Sequence, residues 1–206
     1  MHSELNDGDL LQRMLAGDEE AFTVLYKRHQ GGIYRFARQM TGDAGLAEEV
    51  TQEVFLTLMR EGRSFNARRG SLRAWLYGIG RNCIRRCLDR ERAYVGLENE
   101  EREENTADLL PDPCVPDDGL AGLSSRETVE QVRRAVLALP AAYREAVVLC
   151  ELHEVGYAEA AQILGCPVGT VRSRIHRARE LLAPRLRALR QAPTNSIAGA
   201  RPCHRW

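Results

Sequence analysis

The chain has 206 residues, with 29 Lys and Arg set against 29 Asp and Glu, for a formal net charge of zero. That length allows two small domains or one larger one, and no run of roughly eighteen apolar residues is there to cross a membrane. The polar, acidic stretch from Met1 to Asp9 is not the pattern of a signal peptide, and six irregularly spaced cysteines without one point to a reducing cytoplasm.

The zero net charge conceals segregation. Residues 1–59 carry −5, residues 60–92 carry +7, residues 93–131 carry −9 and residues 132–206 carry +7. Two basic blocks with an acidic one between them predict two contacts with a polyanion. Strand signals are nearly absent, and apolar residues recur at three- and four-residue spacing almost throughout. The expected class is all-α: two small helical domains joined by a flexible acidic linker.

A short helix is expected over about 7–16, ending at Gly17. Asp18 is a plausible N-cap for the next, which carries Phe22, Leu25, Tyr26, Ile33, Phe36, Ala37 and Met40 along one stripe. Thr41-Gly42-Asp43 breaks it, and Asp43 caps a third helix with Leu46, Val50, Val54 and Leu58 inward. A polar loop, Glu61 to Gly70, follows. Ser71 then opens a long helix through about Arg92.

That helix divides its faces. Leu72, Trp75, Leu76, Ile79, Cys83 and Cys87 fall on one arc, Arg81, Asn82, Arg85 and Arg86 on another, with Trp75 at the border. The preceding loop adds Arg63, Phe65, Asn66, Arg68 and Arg69. Cations for phosphates and flat rings for bases suit unstacked single-stranded DNA. A core tryptophan beside a solvated arginine face is the plainer alternative.

From about Ala93 to Ser125 the pattern fails, with five glutamates between Glu98 and Glu104, then Pro111, Pro113, Pro116 and Gly119. Such a stretch cannot bury enough apolar surface to fold alone, so it reads as a linker. Helix resumes near Arg126, with Val129, Val132, Val136 and Leu139 on one face, and Pro140 starts another through Cys150. The expected bounds are therefore 1–92, a linker over 93–125, a second domain over 126–190 and a disordered tail over 191–206.

The run from Tyr157 to Glu180 carries the most information. Gly165 can take the left-handed conformation that ends one helix, and Pro167 suits the first turn of the next. Val171, Ile175 and Ala178 can bury one face of that second helix. Arg172, Ser173, His176, Arg177 and Arg179 lie largely on the rest. This is a helix-turn-helix whose second helix fits the major groove, rather than an ordinary hairpin with a solvated face.

Three stretches together resemble the extracytoplasmic-function (ECF) sigma factors of bacterial RNA polymerase. The first runs from Ala21-Phe22 and Leu25-Tyr26 through Thr41-Gly42-Asp43-Ala44 to Ala47-Glu48-Glu49-Val50-Thr51-Gln52-Glu53-Val54-Phe55. The second is Gly70 to Asn82, and the third is Leu139-Pro140 through Arg179. The first two are similar to region 2 of that family and the third to region 4.

The resemblance implies roles. Asp43, Glu48, Glu49, Gln52, Glu53 and Phe55 would face the clamp helices of the polymerase β′ subunit; for Glu48 and Glu49 bare sequence would favour a solvated face. Asn66, Arg68, Trp75, Arg81, Asn82, Arg85 and Arg86 would read and hold open the minus-ten element, with a flipped base in a pocket shaped by the loop. Arg172, Ser173, His176 and Arg177 would read the minus-thirty-five element, with Arg174 and Arg179 on phosphates. The β flap, promoter DNA and an anti-sigma factor are the further partners implied, and the acidic linker would thread towards the polymerase cleft.

No cofactor or metal is expected. Cys83 with Cys87 and Cys150 with His153 have ligand-like spacings, but these thiols lie on apolar faces, where thiols act as small core residues. A redox or metal-sensing role for Cys114 or Cys203 stays open. Two other classes compete with a promoter-specificity subunit. A polymerase-independent helix-turn-helix regulator would leave the acidic 43–58 helix and the aromatic-basic 62–86 segment unexplained. An enzyme acting on nucleic acid would need paired carboxylates, a phosphate-cradling loop or a Cys/His arrangement, and none is found.

Overall fold

The computed structural model describes residues 5–95 and 119–191. The first helix, α1 (Asp7–Leu15), starts at Asn6, whose side chain accepts from Asp9 N, and gives way to Gly17 in a left-handed conformation. Asp18 caps α2 (Glu19–Thr41) through Ala21 N, and Asp43 caps α3 (Ala44–Glu61) through Leu46 N. Two 3-10 turns, Gly62–Ser64 and Ala67–Arg69, lead to α4 (Leu72–Val95). The Ser71 hydroxyl accepts from Ala74 N at the start of that helix.

These four helices form the first unit. Leu10, Leu25, Ile33, Phe36, Val50, Val54, Leu58 and Leu76 are all buried. Gly80 lets α4 pass close to Val54 and Phe36, which a Cβ at that position would meet at 3.5 and 3.8 Å. Asp7 ties α1 to α2, accepting from Arg28 at 2.6 Å and pairing with His29 at 2.8 Å.

The second unit comprises α5 (Gly119–Leu137), α6 (Ala141–Val147), α7 (Tyr157–Leu164) and α8 (Val168–Gln191). The helix expected from Pro140 to Cys150 changes character at Val148, and Val148–Leu152 is a π turn. Its wider ring places both Val148 and Leu149 in the core. Gly165, at φ 64°, ends α7, and Val171, Ile175 and Ala178 of α8 are fully buried or nearly so.

The two units pack directly on one another. Gly42, at φ 79°, turns the chain after α2, and a Cβ there would meet Leu137 of α5 at 2.9 Å. Arg144 of α6 donates to the carbonyls of Met40, Leu137 and Leu139, joining the end of α2 to the turn between α5 and α6. Helices run past the expected linker bounds: α4 continues to Val95 and α5 begins at Gly119. Residues 96–118, which hold Cys114 and the acidic run, lie outside the described residues, as does the expected tail beyond Gln191, with Cys203.

Candidate polymerase and nucleic-acid interfaces

Helix α3 shows the first of three surfaces. Glu48, Glu49 and Gln52 are exposed on it, and Asp43 precedes it, its carboxylate engaged as the cap. Glu53 is half-buried and accepts from Arg60 at 2.6 Å. Phe55 is a correction. Expected to face a partner, it is 3% exposed and packs against Tyr26 at 4.7 Å and edge-on to Phe22 at 6.4 Å. Its neighbours Leu56 and Met59 occupy the outer face instead, 49% and 56% exposed. Positions 48, 52, 56 and 59 share that face by helical spacing, so polar side chains, Glu48 and Gln52, give way to apolar ones along one ridge. A count of the period from Val50, Val54 and Leu58 puts Phe55 at the border of the inward face, and the rings of Tyr26 and Phe22 draw it in.

The second surface joins the loop before α4 to α4 itself. Asn66 accepts from Arg68 N at 2.9 Å and starts the second 3-10 turn. This turns Phe65 back onto Trp75, with ring centroids 5.7 Å apart and tilted by 54°. Both rings line a cleft of about 610 Å³, shared with Ser64, Asn66, Arg69, Gly78, Ile79 and Asn82 among others. A Cβ at Gly78 would meet nothing within 4 Å. Arg68, Asn82, Arg85 and Arg86 are exposed. Arg86 donates to Cys83 Sγ at 3.3 Å.

Arg81, expected on an open basic face, has a side chain only 12% exposed in this chain. It makes two 3.0 Å bonds to the Glu145 carboxylate and a third, of 3.2 Å, to the Ile163 carbonyl. Ser71 donates from both N and Oγ to Glu159. Gln162 and Ile163 of α7 complete the wall of the Trp75 cleft. The inward arc of α4 is also wider than expected: Ala74, Tyr77, Gly80 and Ile84 are buried with Leu72, Leu76 and Cys83, because both units pack on this helix.

The third surface is the outer face of α8. Arg172, Ser173, His176, Arg177 and Arg179 are exposed. Arg177 and His176 reach Glu180 at 2.7 and 3.5 Å, and Arg179 reaches Glu151 at 2.7 Å. Ser173 Oγ donates back to the Thr170 carbonyl. Exposed pairs of this kind are weak and exchange readily for phosphates. Arg174 is half-buried, with its guanidinium 3.8 Å from Cys166 Sγ.

The cysteines form no metal centre among the described residues. Cys83, Cys87, Cys150 and Cys166 are free thiols, and burial pushes the Cys150 thiol up to about 11, far from a reactive thiolate. No described helix is long and apolar enough to cross a membrane.

Residues 25–94 match the model of Sigma-70 region 2, and residues 129–182 match that of Sigma-70, region 4. The chain is 32% identical over 186 residues to the ECF RNA polymerase sigma factor SigW of Bacillus subtilis, covering 87% of this chain and 96% of that protein. The chain belongs to the ECF family of RNA polymerase sigma factors. The ECF RNA polymerase sigma-E factor of Escherichia coli is also 32% identical, over 92% of this chain and 98% of that one. Among solved structures, the sigma factor RpoE of Bartonella quintana, crystallised with the anti-sigma factor NepR, superposes with a TM-score of 0.67. It has 25% identity and covers 81% of this chain and 96% of that chain. CnrH, in complex with the cytosolic domain of CnrY, gives 0.65, with 26% identity over 88% and 97% of the two chains. In this sigma factor, then, α2 to α4 constitute region 2, and α5 to α8 hold region 4. It directs core RNA polymerase to promoters, and a free-standing regulator is not favoured.

Proposed function

We propose that the three surfaces divide the work of initiation. The ridge on α3 docks on the clamp helices of β′, with Glu48 and Glu49 steering a basic partner, Gln52 adding a neutral hydrogen-bonding group, and Leu56 and Met59 supplying the apolar contact. The cleft between the 3-10 turns and α4 receives a base extruded from the minus-ten element. Extrusion costs a few kcal/mol of stacking, which the paired rings of Phe65 and Trp75 help to offset. Asn66 and Asn82 supply hydrogen bonds at its rim, and Arg68, Arg81, Arg85 and Arg86 hold the phosphates. The outer face of α8 enters the major groove of the minus-thirty-five element through Arg172, Ser173, His176 and Arg177, with Arg174 and Arg179 on the backbone. An anti-sigma factor controls the chain, a reading supported by the similar sigma factor RpoE, crystallised with the anti-sigma factor NepR.

The observation that carries this reading is the Phe65–Trp75 cleft in region 2, in the same chain as an arginine-lined α8 in region 4. Run-off transcription with purified bacterial core polymerase, on DNA upstream of the chain's own gene, tests it. Specific initiation should require the chain. Trp75→Ala should reduce open-complex formation on duplex DNA and be rescued in part on a template with an unpaired minus-ten bubble. Arg172→Ala with Arg177→Ala should weaken closed-complex formation on both templates. No stimulation, with no core binding in a pull-down, would overturn the proposal.

A further inference from the structure

A second cavity has no part in the roles assigned above. It measures about 580 Å³ and lies between α2, the first turns of α4 and the segment Leu152–Glu154 that precedes α7. Arg28 and Arg35 of α2 and Arg73 of α4 line it, and all three are exposed. Arg28 is offset by Asp7 at 2.6 Å. Arg73 donates to the His153 carbonyl and lies over the Tyr77 ring, 5.5 Å from its centroid. Neither Arg73 nor Arg35 has a carboxylate partner among the described residues, and Glu154 is the one carboxylate among the described lining residues. This surplus of positive charge is felt inside the protein. Burial, together with Arg35 and Arg73, holds the His153 imidazole well below its ordinary range.

We propose that this cavity binds a small anion carrying two or more phosphoryl groups, held by Arg35 and Arg73 with Arg28 as a third cation. A guanidinium fork matches phosphoryl oxygens bidentately, and no ion pair of Arg35 or Arg73 among the described residues has to break first. Arg28 and Arg35 stand seven positions apart on α2, about 10 Å along its axis, and Arg73 comes from another helix. Positive charge spread over that length suits linked phosphoryl groups better than a single one. The volume falls within the range of ligand pockets, roughly 300–1,000 Å³. Ile33, Leu76 and Leu152 add apolar wall, which accepts an organic portion. Region 2 supplies the arginines and region 4 supplies Leu152, His153 and Glu154, so a bound anion touches both and stabilises the folded chain by mass action. The shared chemistry is a diphosphate, and its source is either a nucleotide or an inorganic polyphosphate.

Isothermal titration calorimetry of the full chain with ADP and with inorganic pyrophosphate, in a phosphate-free buffer, tests this. Both probes should bind with dissociation constants below about 1 mM, and orthophosphate about ten-fold more weakly. Tighter binding of ADP than of pyrophosphate assigns the site to a nucleotide-like ligand, and equal binding assigns it to an inorganic one. Arg35→Gln should weaken both probes about ten-fold. Glu154→Gln removes the opposing carboxylate and should tighten them about two- to three-fold. Arg172→Gln with Arg177→Gln, on the outer face of α8, should leave both affinities within about two-fold, which separates the cavity from the general attraction of a basic surface for polyanions. Saturating ADP should also raise the midpoint of thermal unfolding of the wild type and not that of Arg35→Gln. Arg35 is exposed, so its replacement should fold normally, as circular dichroism would check, and Glu154→Gln supplies a readout of opposite sign that does not depend on it. No binding of either probe at about 5 mM would overturn the proposal. So would equal weakening by Arg35→Gln and by the α8 pair.

Discussion

His153 belongs to region 4 but lies inside region 2. Its Nδ1 meets the Tyr77 hydroxyl at 2.9 Å and its Nε2 meets Gln39 Oε1 at 2.8 Å, while its ring packs on Phe36 and Tyr77. Its own carbonyl accepts from Arg73. Burial, with Arg35 and Arg73 adding positive charge nearby, pushes the imidazole down from 6.5 to about 4. An opened or unfolded chain takes the proton first, so the contribution of this residue is present above about 6.5 and is lost as pH falls towards 4. At the limit the loss is roughly 3 kcal/mol. Tyr77, Gln39, Arg35 and Arg73 face the ring from α2 and α4, and none of them is a carboxylate that would offset the charge. Scattering between pH 7.5 and 5 should therefore show the wild type expanding on acidification. His153→Gln should flatten that profile. Asp7, held below the usual carboxylate range by His29 and Arg28, adds a further loss of fold stability at still lower pH.

Helix α3 presents two faces with opposite duties, and adjacent residues separate them. Phe55 is core and Leu56 is surface. Phe55→Ala should cost about 3–5 kcal/mol of stability, as other buried rings do, and lower the midpoint of thermal unfolding. Leu56→Asp with Met59→Asp should leave that midpoint almost unchanged but weaken binding to core polymerase several-fold in a competition assay. A double variant that binds core normally would remove the apolar half of the docking ridge. Cap chemistry keeps this face in place: the Asp43 carboxylate accepts from Leu46 N at 2.7 Å, and such caps contribute about 1 kcal/mol.

At the scale of the molecule, regions 2 and 4 share buried polar contacts rather than only an apolar seam. Arg81–Glu145 is the strongest of them by geometry, and Arg144 crosses the seam to the Met40 carbonyl while bonding two carbonyls of its own region. Breaking one partner of a buried pair is costly, about 3–5 kcal/mol, so the two regions should unfold together. Calorimetry of the wild type should show one cooperative transition. Glu145→Gln should split it into two, because the seam weakens while each core is intact. Two resolved transitions in the wild type would show that the contacts across the seam do not couple the units. The charge blocks take on a structural meaning here: the basic segment over 60–92 meets carboxylates of region 4 in the free chain, before any DNA.

Local chemistry made much of this protein legible in its sequence. Asp18, Asp43 and Gly165 mark helix ends because caps and left-handed turns are decided within four residues. Val171, Ile175 and Ala178 announce the buried face of α8 by spacing alone, and its arginines follow on the other side. The combination of motifs sufficed to indicate the ECF family. What only the tertiary structure decided concerns residues far apart in the chain. Arg81 and Glu145 are 64 positions apart, Ser71 and Glu159 are 88 apart, and His153 and Gln39 are 114 apart. No periodicity within one helix shows which element will pack on it, so Arg81 reads as solvated until region 4 covers it. Phe55 was misplaced for a related reason: a family motif marks a segment, while the exact pitch of α3 and the rings of Tyr26 and Phe22 choose which side chain turns inward. The π turn at Val148–Leu152 likewise has no local signal, since the extra residue per turn is accepted only because the core around Leu149 and Val155 rewards it.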